Sequence, residues 1–431
     1  MKKLMSTVII IAMLITVLTT GCSNSNNGNA TKQKSGKDEK VTLTFVNWAT
    51  GAEEQMYKDL ISEYKKDNPN IDIKIQQVPW DGYQDKINTM VAGSAAPDII
   101  YMSQLWFPAF ASKGVLLDLS KNVNNKDFDK GDFHPVLLKA GTYDNKVYWI
   151  ARDLDYVVLY YNKDMFDKAN LKYPDENWTW NDLLQAAQKL TKDTNGDGKI
   201  DQYGFLSVGD YVSFPFIWQN GGKILSSDGK KAEFDNPKTI EAMQWLSDLI
   251  TKYKVSPDPS TIRDQGTSTM FKNGQVVMAT FGRWLAPSLK SIQNFHWGVA
   301  LLPKGKVNRN SFVSGSGYTI FAGTKHPKEA WDFVNWLSSA KIQEEMAVKI
   351  GFGVPSRLSV EKKLFADSSD PNDKVFAEQT KYMTPIPTLP NLQEVLDIYN
   401  KYFDLVRLGQ MSAQDAGKKI NDEVNQVLSE K

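Results

Sequence analysis

Residues 41–102 read VTLTFVNWATGAEEQMYKDLISEYKKDNPNIDIKIQQVPWDGYQDKINTMVAGSAAPDIIYM. This stretch predicts strand, helix, strand, helix, strand. Apolar and polar residues alternate in the first run and again from Ile71 to Ile75, as they do in half-buried strands. From Glu53 to Lys66 the apolar residues recur at helical spacing instead, and Asn68-Pro69 ends that helix. Strands that alternate with helices favour right-handed crossovers and a parallel sheet.

A tryptophan follows each of these three strands: Trp48, Trp80 and Trp106. Ligands of open α/β sheets collect at the carboxyl ends of the strands. An indole ring offers a flat apolar face and a polar tip, which suits the C–H face of a pyranose. Each tryptophan taken alone also fits a core position. Three at equivalent strand ends predict a sugar-binding cleft.

The first residues have the pattern of a bacterial secretory signal with a lipobox, in which Lys2 and Lys3 precede an apolar run that ends near Leu18. That run is shorter than the roughly 20 residues that span a bilayer. We expect residues 1–21 to be the signal peptide and Cys22, the only cysteine, to be lipidated at the extracellular face of the cell membrane, although Thr19 replaces the usual leucine. Residues 22–40 are polar and read as a flexible tether.

Charge excludes several classes of ligand. Lysine and arginine total 51 and aspartate and glutamate 50, which predicts no nucleic-acid partner and an uncharged or weakly charged ligand. The histidines, His134, His296 and His326, are far apart in sequence, so a zinc or Cys/His nucleophilic site is not expected. No cofactor is predicted for function, and the chain is expected to be a monomer.

Two apolar runs, residues 147–150 and 156–161, are separated by the charged segment from Arg152 to Asp155. Such a segment fits a crossover between two lobes, and it fits an ordinary hairpin turn equally well. Farther along, the apolar run 276–280 ends in Gly282-Arg283-Trp284, another aromatic just past a strand. The Gly-rich segment with Gly315 and Gly317 is expected to be a turn, and it lacks the lysine and following helix of a phosphate loop.

A possible structural Ca²⁺ site lies in the loop DTNGDGKID. Oxygen ligands at alternate positions and a glycine at the sixth are typical of calcium loops. The twelfth position is Gly204 where such loops carry glutamate, so we expect modest affinity, and a solvated turn is the alternative. The candidate metal ligands are Asp193, Asn195, Asp197, Lys199 and Asp201.

Nearly all of residues 41–428 resembles the extracellular solute-binding proteins of bacterial carbohydrate ABC importers, the family of maltose-binding protein. The resemblance rests on motifs in a matching order: PDII at Pro97, LYYNKDMF at Leu159, DTNGDGKIDQYGF at Asp193, FGRW, GVALLPKG, GSGYTIFAGTKHPKEAWDF, and GFGVPSR at Gly351.

The resemblance implies an α/β fold of two lobes, a hinge and an interlobe ligand cleft. On that pattern the N-lobe holds 41–150 plus 301–338, and the C-lobe holds 151–300 plus 339–431. The ligand-binding residues implied or suggested by position are Trp48, Glu53, Trp80, Asp98, Gln104, Trp106, Arg152, Asp153, Trp218, Arg283, Trp284, Gly315, Tyr318 and Arg357. Leu392 and Leu396 stand where relatives carry another cleft aromatic, and Tyr399 is a candidate substitute.

These expectations favour a membrane-tethered receptor, not an enzyme, that captures an oligosaccharide and delivers it to an ABC permease. Several cleft aromatics suggest several sugar subsites and hence a plant-polysaccharide fragment such as a xylo- or manno-oligosaccharide. The alternatives are an exported glycoside hydrolase, for which Asp153 and Asp155 would be candidate carboxylates, and a lectin-like sugar-binding protein. A receptor for an anion or amino acid would need clustered charge of one sign, which the sequence lacks.

Overall fold

A computed structural model describes residues 40–93, 95–290, 292–351 and 353–429 of the chain. The expected signal peptide, Cys22 and residues 22–39 of the tether lie outside these residues. Within the described ranges, no helix has both the length and the apolar character needed to cross a membrane.

The strands are β1 Val41–Asn47, β2 Ile71–Gln77, β3 Ile99–Ser103, β4 Thr142–Tyr143, β5 Lys146–Val147, β6 Ile150–Ala151, β7 Asp153–Leu154, β8 Val158–Asn162, β9 Tyr203–Leu206, β10 Val276–Phe281, β11 Trp297–Ala300, β12 Ser311–Val313, β13 Ser316–Ile320, β14 Val354–Pro355 and β15 Met383–Pro385.

The helices are α1 Ala52–Asp67, α2 Tyr83–Ala92, α3 Phe107–Ser112, α4 Ser120–Val123, α5 Pro135–Ala140, α6 Lys163–Lys168, α7 Trp180–Leu190, α8 Phe214–Gln219, α9 Pro237–Thr251, α10 Pro259–Gln265, α11 Thr267–Lys272, α12 Ala286–Leu289, α13 Pro327–Leu337, α14 Ala340–Ile350, α15 Leu358–Glu361, α16 Pro371–Gln379, α17 Leu392–Arg407 and α18 Ala413–Ser429.

Local sequence explains the predicted βαβαβ unit. Helix α1 buries Met56, Tyr57, Leu60 and Tyr64 along one face, with acidic residues in its first turn and lysines in its last. This charge arrangement complements the helix dipole. Strands β1, β2 and β3 pair in parallel, as the sequence predicts.

The first sheet has five strands in the order β2-β1-β3-β13-β6, and β13 runs antiparallel to both of its neighbours. The sheet is therefore mixed, although its first three strands are parallel. Gly317 lies within β13 and Gly315 directly before it, so the turn expected here is wrong. A Cβ at Gly317 would lie 2.2 Å from the carbonyl oxygen of Ile150, so glycine permits this close strand contact.

The second sheet has four strands in the order β11-β8-β10-β9. Strand β6 belongs to the first sheet and β8 to the second, so the charged segment between them is a crossover and not a hairpin. A second crossing segment runs beside it. The N–H of Asp155 donates to the carbonyl of Ser314 at 3.0 Å, and the N–H of Ser314 donates back at 2.9 Å.

Two segments pack on a different lobe from the one that the family pattern predicts for them. Strand β12 pairs with β15, and Phe312 packs in the core cluster that contains the second sheet. Helix α14 packs on α1 instead, and its Ile342 and Met346 join the core of the first sheet. Family position alone did not reveal these two contacts, because each depends on which sheet the flanking strands join.

Candidate functional site

A cleft opens between the two sheets where several strands end. It has a water-accessible volume of about 380 Å³, within the usual range for ligand pockets. Three kinds of segment meet there: the ends of the first sheet, the end of β10 with the turn before α8, and the two crossing segments. The lining residues are Trp48, Trp80, Ser103, Asp155, Tyr211, Trp284, Ser314 and Ser316.

The first wall of the cleft consists of Trp48 and Trp80 on a support of buried aromatic rings. Their ring centroids lie 5.0 Å apart and nearly perpendicular. Behind them, Tyr101 lies 4.2 Å from Trp48, and Trp106 lies 4.5 Å from Trp80. Trp80 is 47% exposed, whereas Trp106 is 8% exposed. Trp106 thus supports the wall from behind, which corrects its predicted place at the ligand surface.

A buried charge cluster lies beneath this wall. Arg152, 5% exposed, pairs with Glu53 and, through Nη2, with Asp153 at 2.5 Å. Its Nη1 also donates to the hydroxyl of Tyr57 at 3.1 Å. Burial raises the pKa of Tyr57 to about 12, so this hydroxyl stays protonated. The three predicted charged residues do meet, but as a packed cluster under the cleft.

Asp155 is one of five cleft residues that the predicted site omits, with Ser103, Tyr211, Ser314 and Ser316. Ser316 Oγ donates to its carboxylate at 3.5 Å. Burial, and after it the charge of Asp153, raises the pKa of Asp155 well above its ordinary range. The charged run from Arg152 to Asp155 marked this segment as a candidate. It did not show which side chains face the cleft, since the pairing partners of the segment were unknown.

The second wall is formed by Trp284 and Tyr211. Trp284 stands just past the end of β10, as predicted, and its ring folds back over Gly282. A Cβ at Gly282 would lie 1.8 Å from Cζ3 of Trp284, so only glycine allows this ring position. Tyr211 packs edge-to-face on Phe312, with centroids 5.1 Å apart. Sequence reasoning missed Tyr211, which lies in a short turn without strand or helix periodicity.

Two predicted residues lie beside the cleft and not on its surface. Gln104 is 1% exposed, and its Nε2 donates to Thr388 Oγ1 at 3.3 Å. Gly315 lets the crossing segments touch, because a Cβ there would lie 2.3 Å from the carbonyl oxygen of Asp153. Both residues shape the cleft through the segments they hold together.

Three other predicted residues are not brought to the cleft. Asp98 precedes β3 and accepts hydrogen bonds from Thr44 N–H and Thr324 Oγ1, so it lies at the opposite end of that strand. Tyr318 is fully buried among first-sheet residues. Arg357 donates to the carbonyl of Ser338 and lies over the Phe133 ring at 3.9 Å. These assignments are corrected to structural roles.

The remaining aromatic and basic candidates lie outside the cleft defined above. Trp218 lines a second hollow, which lies between residues 136–145, beside the first sheet, and residues 223–229 and 384–389. Arg283 pairs with Asp373 at 3.2 Å and lies over the Phe365 ring, which makes it an anchor behind Trp284. Tyr399 is fully buried and bonds to Ser213, so it does not replace a cleft aromatic. Their positions in the sequence suggested these residues as candidates, but did not show whether their side chains point into the cleft or into the protein.

The loop proposed for calcium is exposed and folds on its own backbone. The Asp193 carboxylate accepts from the N–H groups of Gly196 and Gly198, at 2.7 and 2.8 Å. Over the described residues, no group of three or more His, Cys, Asp or Glu is placed to hold a metal ion. Gly204 is fixed by packing, since a Cβ would lie 2.1 Å from the carbonyl oxygen of Ala187. The oxygen donors suit Ca²⁺, and calcium binding stays a prediction.

Two main sheets, the segments that cross between them and the cleft where they meet define a two-lobed α/β binding-protein fold. The chain belongs to the bacterial extracellular solute-binding protein family, whose family model matches residues 48–344. This assignment confirms the family and the fold class predicted from the motifs.

Known relatives cover most of the chain. The arabinooligosaccharide-binding protein of Bacillus subtilis is 26% identical, and the alignment covers 99% of this chain and all of that one. An ABC substrate-binding protein from Listeria monocytogenes, solved in complex with cycloalternan, is 27% identical with a TM-score of 0.83, covering 91% of this chain and 100% of that one. CpMnBP1 with mannobiose bound is 25% identical with a TM-score of 0.77, covering 89% and 100%.

Proposed function

We propose that this protein is the oligosaccharide receptor of an ABC importer, captures a plant-polysaccharide fragment such as a xylo- or manno-oligosaccharide, and delivers it to the permease. The cleft carries this proposal. Trp48 and Trp80 face it from one sheet, and Trp284 and Tyr211 from the other. Aromatic faces on both sides suit sugar rings held between the lobes.

The polar groups of the cleft fit an uncharged sugar. Ser103, Ser314 and Ser316 supply hydroxyl groups, and Asp155 supplies a carboxyl group. These side chains can donate hydrogen bonds to sugar hydroxyls and accept hydrogen bonds from them. They do not form a cluster of charges of one sign. A ligand that touches both walls binds the closed arrangement better than the open one and therefore shifts the lobes toward closure.

The relatives support the same class of ligand. One is named for arabino-oligosaccharides, and solved neighbours carry cycloalternan and mannobiose. The proposal therefore includes arabino-oligosaccharides in the test set beside the xylo and manno series.

The hydrolase alternative is less well supported. Hydrolysis needs two carboxyl groups about 5 to 9.5 Å apart across the scissile bond. Among the described residues that line the cleft, Asp155 is the one carboxylic acid. Asp153 is 2% exposed and is occupied by Arg152 and by the N–H of Ser316 at 2.9 Å. A receptor needs no second acid.

The proposed architecture follows the packing. We place 41–151 and 314–357 in the N-lobe and assign 158–311 and 358–429 to the C-lobe. The chain then crosses between the lobes three times, at 152–157, 312–313 and 357–358, and these crossings form the hinge. We also propose that residues 1–21 are removed and that Cys22 anchors the protein to the membrane. This part of the proposal rests on the sequence alone, since these residues lie outside those that the structure describes. Such a tether would hold the receptor near its permease.

Thermal denaturation against defined xylo-, manno-, arabino- and malto-oligosaccharides tests the proposal. A true ligand at 100 times its dissociation constant adds about 2.7 kcal/mol to the free energy of unfolding. Calorimetry then gives the affinity, and chromatography of the incubated sugar reports any turnover. Binding without turnover is the expected result. Cleavage of the sugar, or the absence of stabilisation by every oligosaccharide, would contradict the receptor assignment.

A further inference from the structure

Arg283 contacts both lobes beside the cleft. It follows Gly282, just past the end of β10, and directly precedes Trp284 of the second wall. Its guanidinium Nη1 donates to the carbonyl oxygen of Gly351, the residue that caps the C-terminal end of α14. Arg283 belongs to the proposed C-lobe and Gly351 to the proposed N-lobe. This hydrogen bond therefore connects the two lobes next to a residue of the cleft wall.

The C-lobe holds the rest of the Arg283 side chain. Nη2 pairs with Oδ1 of Asp373 at 3.2 Å, and the guanidinium carbon lies 4.5 Å from the centre of the Phe365 ring. The other carboxylate oxygen of Asp373 accepts a hydrogen bond from Ser368 Oγ at 3.1 Å. A carboxylate and an aromatic face together orient the planar guanidinium. Among these contacts, the one with Gly351 crosses between the lobes, so it is the one that lobe movement can break.

The C-terminal end of α14 attracts cations. The last carbonyl groups of a helix lack partners within the helix and carry the negative end of its dipole. Gly351 has a φ of 70°, the left-handed conformation in which glycine commonly ends a helix. Lys290 of the C-lobe is also close, because a Cβ at Gly351 would lie 3.1 Å from Lys290 Nζ and 3.5 Å from Arg283 Nη1. Two cations of one lobe thus face the negative end of a helix in the other.

Helix α14 is in turn packed against the support of the first wall. Its Met346 lies in the core cluster of the first sheet. Met346 and Ile350 also border a small space of about 20 Å³ together with Arg152 and Glu53, which belong to the charge cluster beneath the first wall. Arg283 therefore links the second wall of the cleft to the structure that supports the first.

We propose that Arg283 is a positioning residue whose contact with Gly351 forms a latch: it keeps Trp284 in the cleft wall and holds the two lobes together while the cleft is closed. This inference rests on the proposed function. A hydrogen bond is lost once donor and acceptor are more than about 3.5 Å apart, so opening of the cleft breaks the latch while Arg283 stays on its own lobe. The latch stabilises the closed state without touching the sugar. It therefore slows the release of every ligand by the same factor.

Two substitutions separate a latch between the lobes from an anchor within one lobe. Arg283→Met keeps an apolar side chain over Phe365 and removes the guanidinium. Asp373→Asn removes the charge that pairs with Arg283 inside the C-lobe and leaves the contact with Gly351 in place. An anchor within the C-lobe would be weakened by both substitutions, whereas the latch is removed by the first alone.

Two further variants complete the set. Lys290→Met removes the second cation at the end of α14, which is exposed. Arg263→Met is the matched control, because Arg263 is an exposed arginine of α10 in the same lobe. Stopped-flow tryptophan fluorescence of each full-length protein gives the association and dissociation rate constants. The ligands are those xylo-, manno-, arabino- and malto-oligosaccharides that bind the wild type.

Arg283→Met is expected to raise the dissociation rate constant about tenfold for every sugar, as for the loss of one hydrogen bond from a charged group. The association rate constant should change little, because the latch forms after the sugar has entered the open cleft. Asp373→Asn should raise dissociation at most about twofold, and Arg263→Met should not change it. Lys290→Met should raise it about twofold in low salt but not in about 1 M salt, which screens an exposed charge. The melting temperature without ligand shows whether each variant is folded.

The outcomes separate the two proposals. Unchanged dissociation from Arg283→Met, or equal acceleration by Arg283→Met and Asp373→Asn, would contradict the latch and leave the receptor proposal standing. Acceleration that differs from sugar to sugar would also contradict it, because Arg283 would then act through the sugar contacts of Trp284. If the wild type binds none of the sugars, the receptor proposal fails and the latch proposal fails with it. Should Arg283→Met not fold, the low-salt result for Lys290→Met decides.

Discussion

The two walls of the cleft are built differently. Trp48 and Trp80 rest on other aromatic rings, with a buried charge cluster beneath them. Trp284 instead folds over a glycine and has a hollow beside it. The first wall has a close-packed support, whereas the second leaves space. The first wall is therefore held by its packing, whereas Trp284 has free space beside it.

The largest expected effect breaks the support of the first wall. Arg152→Met leaves Glu53 and Asp153 buried without their cation, and breaking a buried pair typically costs about 3 to 5 kcal/mol of stability. Urea denaturation without ligand measures this loss. Lys58→Met is the control, because it breaks an exposed pair with Glu54 and should change stability little. Equal stability of the Arg152 variant and the wild type would contradict the supporting role of the cluster.

The next effect concerns the second wall alone. Gly282→Ala forces the Trp284 ring to move, because the new Cβ would overlap it. We expect roughly a tenfold loss in oligosaccharide affinity. The loss of stability without ligand should be small, since Trp284 is only partly buried. Calorimetry and thermal melting measure the two quantities. An unchanged affinity would mean that the ring position does not matter to the ligand.

Asp155 lies between the walls, and its protonation links pH to stability. Because its pKa is raised in the folded protein, the native state holds more protons than the unfolded chain above the ordinary carboxyl pKa of about 3.9. Stability without ligand therefore falls as pH rises through the window up to the raised pKa. Asp155→Asn should be more stable than wild type at pH 7, with the difference vanishing below pH 4.

The control for this pH dependence is Asp59→Asn, which alters an exposed carboxylate on α1. It should follow the wild-type profile. A profile for Asp155→Asn that also matches the wild type would show that Asp155 does not titrate abnormally.

The smallest effect lies away from both walls. Asp197→Ala removes one candidate calcium ligand in the exposed loop, so stabilisation by added Ca²⁺ should be lost while sugar affinity stays the same. Melting temperatures in about 10 mM Ca²⁺, which is roughly ten times the weakest dissociation constant of about 1 mM for such sites, and in chelator provide the measurement. If both proteins melt identically under both conditions, the loop is an ordinary turn and its carboxylates serve only as the backbone caps seen here.

Sequence periodicity predicted the βαβαβ unit well, because α1 and β1 to β3 each show a clear apolar repeat. Trp48, Trp80 and Trp284 were found by their places after strands. The errors have different causes. Asp98 precedes β3 and therefore lies at the amino end of that strand, away from the cleft. The burial of Tyr318 depends on the antiparallel pairing of β13 with β3, which no local pattern reveals.

Residues in irregular segments were harder to identify. Tyr211 and Asp155 lie in a short turn and a crossing segment, where no repeat distinguishes the inner side from the outer. The hollow beside Trp284 could not be predicted from the sequence, since it brings together β10, α10 and α17 from distant parts of the chain. Family position suggested an aromatic residue near this region, yet Tyr399 is buried and Asn400 lines the hollow.

The central claim is that both walls hold the ligand, and one comparison tests it directly: affinity and unliganded stability of Trp284→Ala beside Trp48→Ala. We predict that Trp284→Ala loses about 2 to 4 kcal/mol of binding free energy, roughly 30- to 1,000-fold in affinity, with little loss of stability. Trp48→Ala should lose both, because it also packs on Tyr101. Near-normal affinity in folded Trp284→Ala, together with lost stability, would make Trp284 a core residue and contradict the two-walled cleft.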